Sequence, residues 1–145
     1  MRRRKSAQRG STLIEFALVT FMLMIVILAG IEFDRMVLVY TTLGNAARAG
    51  VRYAIVHGSH RTGTGDPPSG PGTEAAVVAK VRQYASAGLL NTAPAVLDVA
   101  VTYPAGNNET GSRVKVSLTY HYDPFVKLPL GILDLKSSTQ GIIVF

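Results

Sequence analysis

The chain of 145 residues has no cysteine and no tryptophan. Without cysteine a disulfide framework, a thiolate metal site and a cysteine nucleophile are all excluded. With no tryptophan and 14 glycines, stability must come from aliphatic packing and from partners. Acids are missing from the first ten residues, where Arg2, Arg3, Arg4, Lys5 and Arg9 supply five of the 15 basic residues. From Ser11 onward ten basic residues face nine acids, so the net charge of +6 shrinks to +1 there. The basic character belongs to a short leader, and no basic patch on the folded part, hence no nucleic-acid partner, is implied.

Charge is absent altogether from Phe16 to Ile31, FALVTFMLMIVILAGI. With STLIE before it and EF after it, the run approaches the ~20 residues that span ~30 Å of hydrocarbon. The basic cluster ahead of it sets orientation: the amino terminus stays cytoplasmic and residues after about 33 face the far side. A cleavable secretory signal is the competing reading. Its apolar core is usually only about 7–15 residues, and here Ala29 and Gly30 run into EFDRMVLVY with no break in helical character. One acid, Glu15, stands inside the start of the run, where a carboxylate in hydrocarbon costs about 2.5–3.5 kcal/mol and is therefore functional by default.

Apolar or small residues then recur at Phe33, Met36, Val37, Tyr40, Leu43, Gly44, Ala47, Val51, Ala54 and Ile55, close to the spacing of one helix face. Thr41, Asn45, Arg48 and Arg52 fall on another face, where basic side chains stay solvated. A helix from Ser11 to Val56 would be roughly 70 Å long. Gly44 and Gly50 each weaken it by about 1 kcal/mol unless a neighbouring backbone packs closely against them. Close packing is the expectation; a melted or kinked segment is the alternative.

HGSHRTGTGDPPSGPG, residues 57–72, reads as a flexible connection. Thr73 is the expected N-cap of a second helix over about 74–87, with Val77, Val81, Tyr84 and Ala85 on one stripe and Gly88 after it. Two alternating segments follow, about 96–103 and 113–122; Leu97, Val99, Val101 and Tyr103 share one face of the first, and Val114, Val116, Leu118, Tyr120 and Tyr122 one face of the second. FVKLPLGILDL reads as a crossing loop or turn, and about 136–144 as a third strand. The fold class is α+β: a long amino-terminal transmembrane helix continuing into a small head with a second helix and an antiparallel sheet of about three strands. The organisation expected is a basic cytoplasmic leader (1–10), a transmembrane helix (11–33), its amphipathic continuation (34–56), the Gly/Pro-rich loop (57–72) and the α+β head (73–145).

Chemistry of the catalytic kind is thin. His57, His60 and Asp66 lack a further ligand at a diagnostic spacing, so both histidines are read as solvated and no metal is assigned. His121, on the polar side of a strand, needs no partner. No nucleophile elbow, Walker loop or Rossmann turn is present, and neither catalytic residues nor a cofactor are assigned.

RG followed by STLIEF, then IEFDR, then NAARAGVRYA, then a helix and a three-stranded end, resembles the TadE family of pilin-like proteins from tight-adherence (type IVc) pilus systems. The family positions are Glu32, Phe33, Arg35, Asn45, Ala46, Ala47, Arg48, Gly50, Arg52 and Tyr53; members commonly have Gly where Asp34 stands and often Glu where Ala49 stands. The resemblance implies a bitopic inner-membrane minor pilin or pseudopilin that a prepilin peptidase cuts between Gly10 and Ser11, with Glu15 and Phe16 serving recognition and assembly. Glu15 would then pair with the new amine of an adjacent subunit. The implied partners are the peptidase, other pilins, the pilus assembly platform and the lipid bilayer, and the implied location is the inner membrane and, after processing, the pilus. A single-pass protein with a ligand-binding or sensor head is the rival reading, and a secreted adhesin cut near Ile31 a third.

Overall fold

The computed structural model describes residues 6–60, 67–93, 95–125 and 133–144, with side chains described from Gly10 onward. The elements run α1 (Ser6–Val56), α2 (Ala75–Ala85), β1 (Leu97–Thr102), β2 (Arg113–Tyr122) and β3 (Leu133–Ile142). This is an α+β chain with a long apolar amino-terminal helix, a second helix and a three-stranded antiparallel sheet. It divides into two compact units, Met1–Met36 and Val37–Phe145.

In the first unit α1 is bare. Fourteen large apolar side chains between Leu13 and Ile31 are each 46–71 % exposed. No residue in the most apolar 18-residue window of the helix is buried within the chain. α1 runs without interruption through Gly44 and Gly50, so the melted alternative does not occur.

The second unit has a core. From α1 it takes Val39, Leu43, Ala46, Ala47, Val51, Tyr53 and Ala54; from α2, Val77, Val81 and Ala85; from the sheet, Leu97 and alternate residues of β2 from Val114 to Tyr122. Ile143 closes it at the far end. The sheet order is β1-β2-β3, with Leu97 opposite Tyr120, and Tyr120 in turn opposite Leu135. Tyr120 and Tyr122 are therefore core aromatics, buried on the central strand.

The buried stripe of α1 is rotated from the one expected. Val37 and Tyr40 are 44 % and 58 % exposed, while Val39, Ala46 and Gly50 are buried. Residues 36–40 are apolar without interruption, so periodicity cannot pick a face there; the small residues at 46, 47, 50 and 54 decide it, because only they admit a close neighbour. Gly50 is such a contact: a Cβ placed on it would run into the Val81 side chain and sit 3.6 Å from Val77 and Val116. Gly44 is the reverse of the expectation, with nothing within 4 Å of where its Cβ would lie.

Three local details also differ. Thr73 does not cap α2: its hydroxyl is taken up by a turn with Gly70, accepting from the Gly70 N–H at 2.9 Å. Glu74 holds the N-cap position without a side-chain cap bond, its Oε1 accepting from Gly72 N–H at 2.8 Å. Of FVKLPLGILDL, residues 126–132 lie outside the described residues, Phe125 is 75 % exposed, and Leu133–Leu135 belong to β3. The third strand starts three residues early because β2 runs to Tyr122, whose partner is Leu133.

The Gly/Pro-rich segment is pinned at both flanks. His57, expected to be solvated, is 5 % exposed, and Ser69 is fully buried. The Ser69 N–H donates to His57 O at 2.7 Å, the Ser59 N–H to Asn108 O at 3.1 Å, and Asn108 Nδ2 to Ser69 O at 3.0 Å. Backbone polar groups carried inward must be paired, and these bonds pair them. Residues 61–66 lie outside the described residues.

Candidate functional site

Gly10 and Ser11 sit within α1, and Gly10, Ser11, Glu15 and Phe16 are all exposed. Phe16 is 70 % exposed, and nothing lies within 4 Å of where a Gly10 Cβ would be. At 3.6 residues per turn, Glu15 lies one turn beyond Ser11 on the same side of the helix. Arg2, Arg3, Arg4 and Lys5 lie outside the described residues, as does the side chain of Arg9.

At the other end of the apolar run charge returns within four residues. Glu32 Oε1 approaches Arg35 Nη1 at 3.8 Å, across one turn of helix, while Phe33 projects with 64 % of its surface exposed. Such a partly exposed i,i+3 pair contributes at most about 1 kcal/mol in water. Its placement matters more than its strength, since it ends the stretch of helix that carries no charge.

The segment NAARAGVRYA splits into two faces. Ala46, Ala47, Gly50, Val51, Tyr53 and Ala54 are buried in the head, and Asn45, Arg48 and Arg52 point outward. Small residues let α2 approach: Gly50 meets Val81, and Thr42 meets Gly88. Tyr53 stacks on His57 with ring centroids 3.8 Å apart, and His57 Nδ1 donates to Tyr53 O at 2.8 Å. The family positions are thus not one site: some hold the head to α1, and others are presented outward.

Two polar features of the head escaped the reading by pattern. His121 is not partnerless, since its Nδ1 lies 2.7 Å from Asp134 Oδ1 across the β2–β3 pairing. Tyr103, 9 % exposed, follows β1 beside Ser69. Burial pushes its phenol above the ordinary value, opposed by the Ser69 hydroxyl and reinforced by the Glu74 carboxylate. Among the described residues no group of three or more His, Cys, Asp or Glu could hold a metal ion.

The fold and the bare helix define a class: a head held on the distal half of a single helix that is long and apolar enough to cross a membrane. Residues 10–52 match the family described as TadE-like protein, which identifies this segment as TadE-like. The match starts at Gly10 and ends at Arg52, so it covers the bare helix and most of its continuation and leaves out α2 and the sheet. No curated protein and no solved structure matches the chain.

Proposed function

We propose that this chain is a minor pilin or pseudopilin that takes part in assembling a tight-adherence (type IVc) pilus used for surface attachment. It is made as an inner-membrane precursor with its amino terminus in the cytoplasm and its head on the far side, as the leader arginines dictate. A prepilin peptidase cuts it between Gly10 and Ser11. The observation that carries this reading is that the TadE-like match begins at Gly10 itself, five residues before the single acid of the apolar run.

Glycine suits the cut because it leaves a helix at least cost, about 1 kcal/mol more readily than alanine, and so presents an extended bond to the peptidase. The cut creates an ammonium at Ser11, close to the cytoplasmic interface where Glu15 also begins. Two isolated charges in an apolar helix bundle are costly, whereas a carboxylate and an amine of adjacent subunits tolerate burial together. Wrong register leaves both unpaired, so the pair selects register more than it stabilises. The chain acts through assembly with other pilins and the assembly platform and requires no cofactor.

The test is a pair of variants expressed with the cognate peptidase and pilus machinery. Gly10→Ala retains the ten-residue leader, and Glu15→Ala is cut normally but fails to enter sheared surface filaments. Normal incorporation of Glu15→Ala rejects the pairing role, and a leader retained in the wild-type chain rejects the processing.

A further inference from the structure

The sheet of the head ends on two edge strands, β1 and β3. Among the described residues, no strand lies beyond β1 or beyond β3. An edge of this kind is a template for another chain unless a lysine or other charge, proline, a bulge or an inward charge blunts it, and here the charges facing out of the two edges, Asp98 and Lys136, are of opposite sign. β3, LDLKSSTQGI, has no proline, and its ten pairs with β2 run without a bulge. Cover also thins toward both edges: Val114, Val116 and Leu118 of β2 are at most 1 % exposed, yet Leu133 of β3 is 44 % exposed and Val99 and Val101 of β1 are only half-buried.

The register arranges side chains in rows across the sheet. Asp98, Thr119 and Lys136 form one row on the outer face, and Leu97, Tyr120 and Leu135 the neighbouring row on the inner face. Asp98 and Lys136 are exposed, lie on opposite edges, and among the described residues neither has an ion-pair partner. A second copy set beside the first, with its rows continuing these, brings its Asp98 next to Lys136 and its Leu97 next to Leu135.

We propose that the β3 edge of the head docks the β1 edge of a second copy of this chain, in parallel, with Lys136 facing Asp98 and Leu135 facing Leu97 across the interface. β1 and β3 both run antiparallel to β2, so the new pair is parallel, which needs a long crossover within one chain but none between two. The contact is head-to-tail and leaves an open edge at each end of any array. It also keeps every copy pointing the same way. A symmetric antiparallel β3–β3 pair would not, because it sets the second head end for end against the first. On this point the inference rests on the proposed function, which anchors all copies with their amino termini on one side of one membrane.

The chain lacks cysteine, so introduced thiols report contacts without background. Within one chain Asp98 and Lys136 are two strand spacings apart, about 9–10 Å, beyond the ~7 Å that a disulfide bridges. The full chain carrying both Asp98→Cys and Lys136→Cys, oxidised mildly in membranes, should give a reducible ladder of dimers, trimers and higher species, while each single variant stays monomeric. A ladder trapped instead through Ala100→Cys with Ser138→Cys should weaken up to about fivefold with Lys136→Asp and recover when Asp98→Lys is added. Monomers alone, a Lys136→Cys homodimer alone, or adducts only with other proteins would overturn the proposal. The ladder is also read in Gly10→Ala chains, so a failure of processing leaves it unchanged and the two ideas fail separately.

Discussion

Residues 13–31 and 39–54 belong to the same helix and are both apolar, but they solve different problems. The first stretch is built of Leu, Ile, Phe, Met and Val, and its large side chains are about half exposed or more. The second is built around Ala46, Ala47, Gly50 and Ala54, which are buried. Leaving a large apolar side chain in water forgoes about 1.5–3 kcal/mol each, so the first stretch alone would outweigh the ~5–15 kcal/mol that holds a domain folded. A bilayer or other helices must cover it. Side-chain size distinguishes the two: large residues serve a partner that adapts to them, and small ones serve a partner fixed in the same chain.

The comparison breaks most visibly under truncation. Leu43 is fully buried, and Leu43→Ala should cost the head about 2–5 kcal/mol. Leu23, 58 % exposed, should cost it nothing when changed to Ala. Thermal unfolding of the head in detergent, followed through tyrosine absorbance, reads both; equal effects would mean that the two stretches are not distinct.

Overpacking sharpens the same contrast at smaller scale. Gly50→Val drives a methyl group into Val81 and should lower head stability by about 1–3 kcal/mol. Gly44→Ala meets nothing and should be neutral or should stabilise α1 by up to about 1 kcal/mol.

A smaller effect follows from Tyr103, whose phenol is pushed by burial above the ordinary tyrosine value of about 10. The unfolded chain then ionises first, so the contribution is intact below pH 10 and is lost as the pH rises from there through the folded-state value. Tyr103→Phe should flatten that alkaline fall in a pH series of unfolding midpoints. The exposed His121–Asp134 pair should matter least: Asp134→Asn changes stability by less than about 1 kcal/mol.

How much of this was legible in the sequence follows from the same physics. The charge-free run announced α1 and the strict alternation of Val114 to Tyr122 announced β2, because each pattern extends over several periods. Helix phase near residue 38 was not legible, since five successive apolar residues carry no period. Nor was the burial of His57 and Ser69, since Ser69 O finds its partner in Asn108, 39 residues away. Thr73 misled because its hydroxyl had a nearer partner in Gly70 than the helix it precedes. Of the candidate site, Glu15 stood out by its charge in an apolar run, whereas Gly10 and Ser11 were marked by the resemblance to the TadE family. The function proposed for them lies between chains, where one chain's geometry adds position but no partner.

The central claim is that the helix becomes functional once the leader is removed at Gly10. Amino-terminal sequencing of the chain recovered from membranes that contain its peptidase tests this most directly. The account predicts a mature terminus at Ser11, five residues from Glu15 counted inclusively. A terminus at Met1, or one near Ile31, would contradict it.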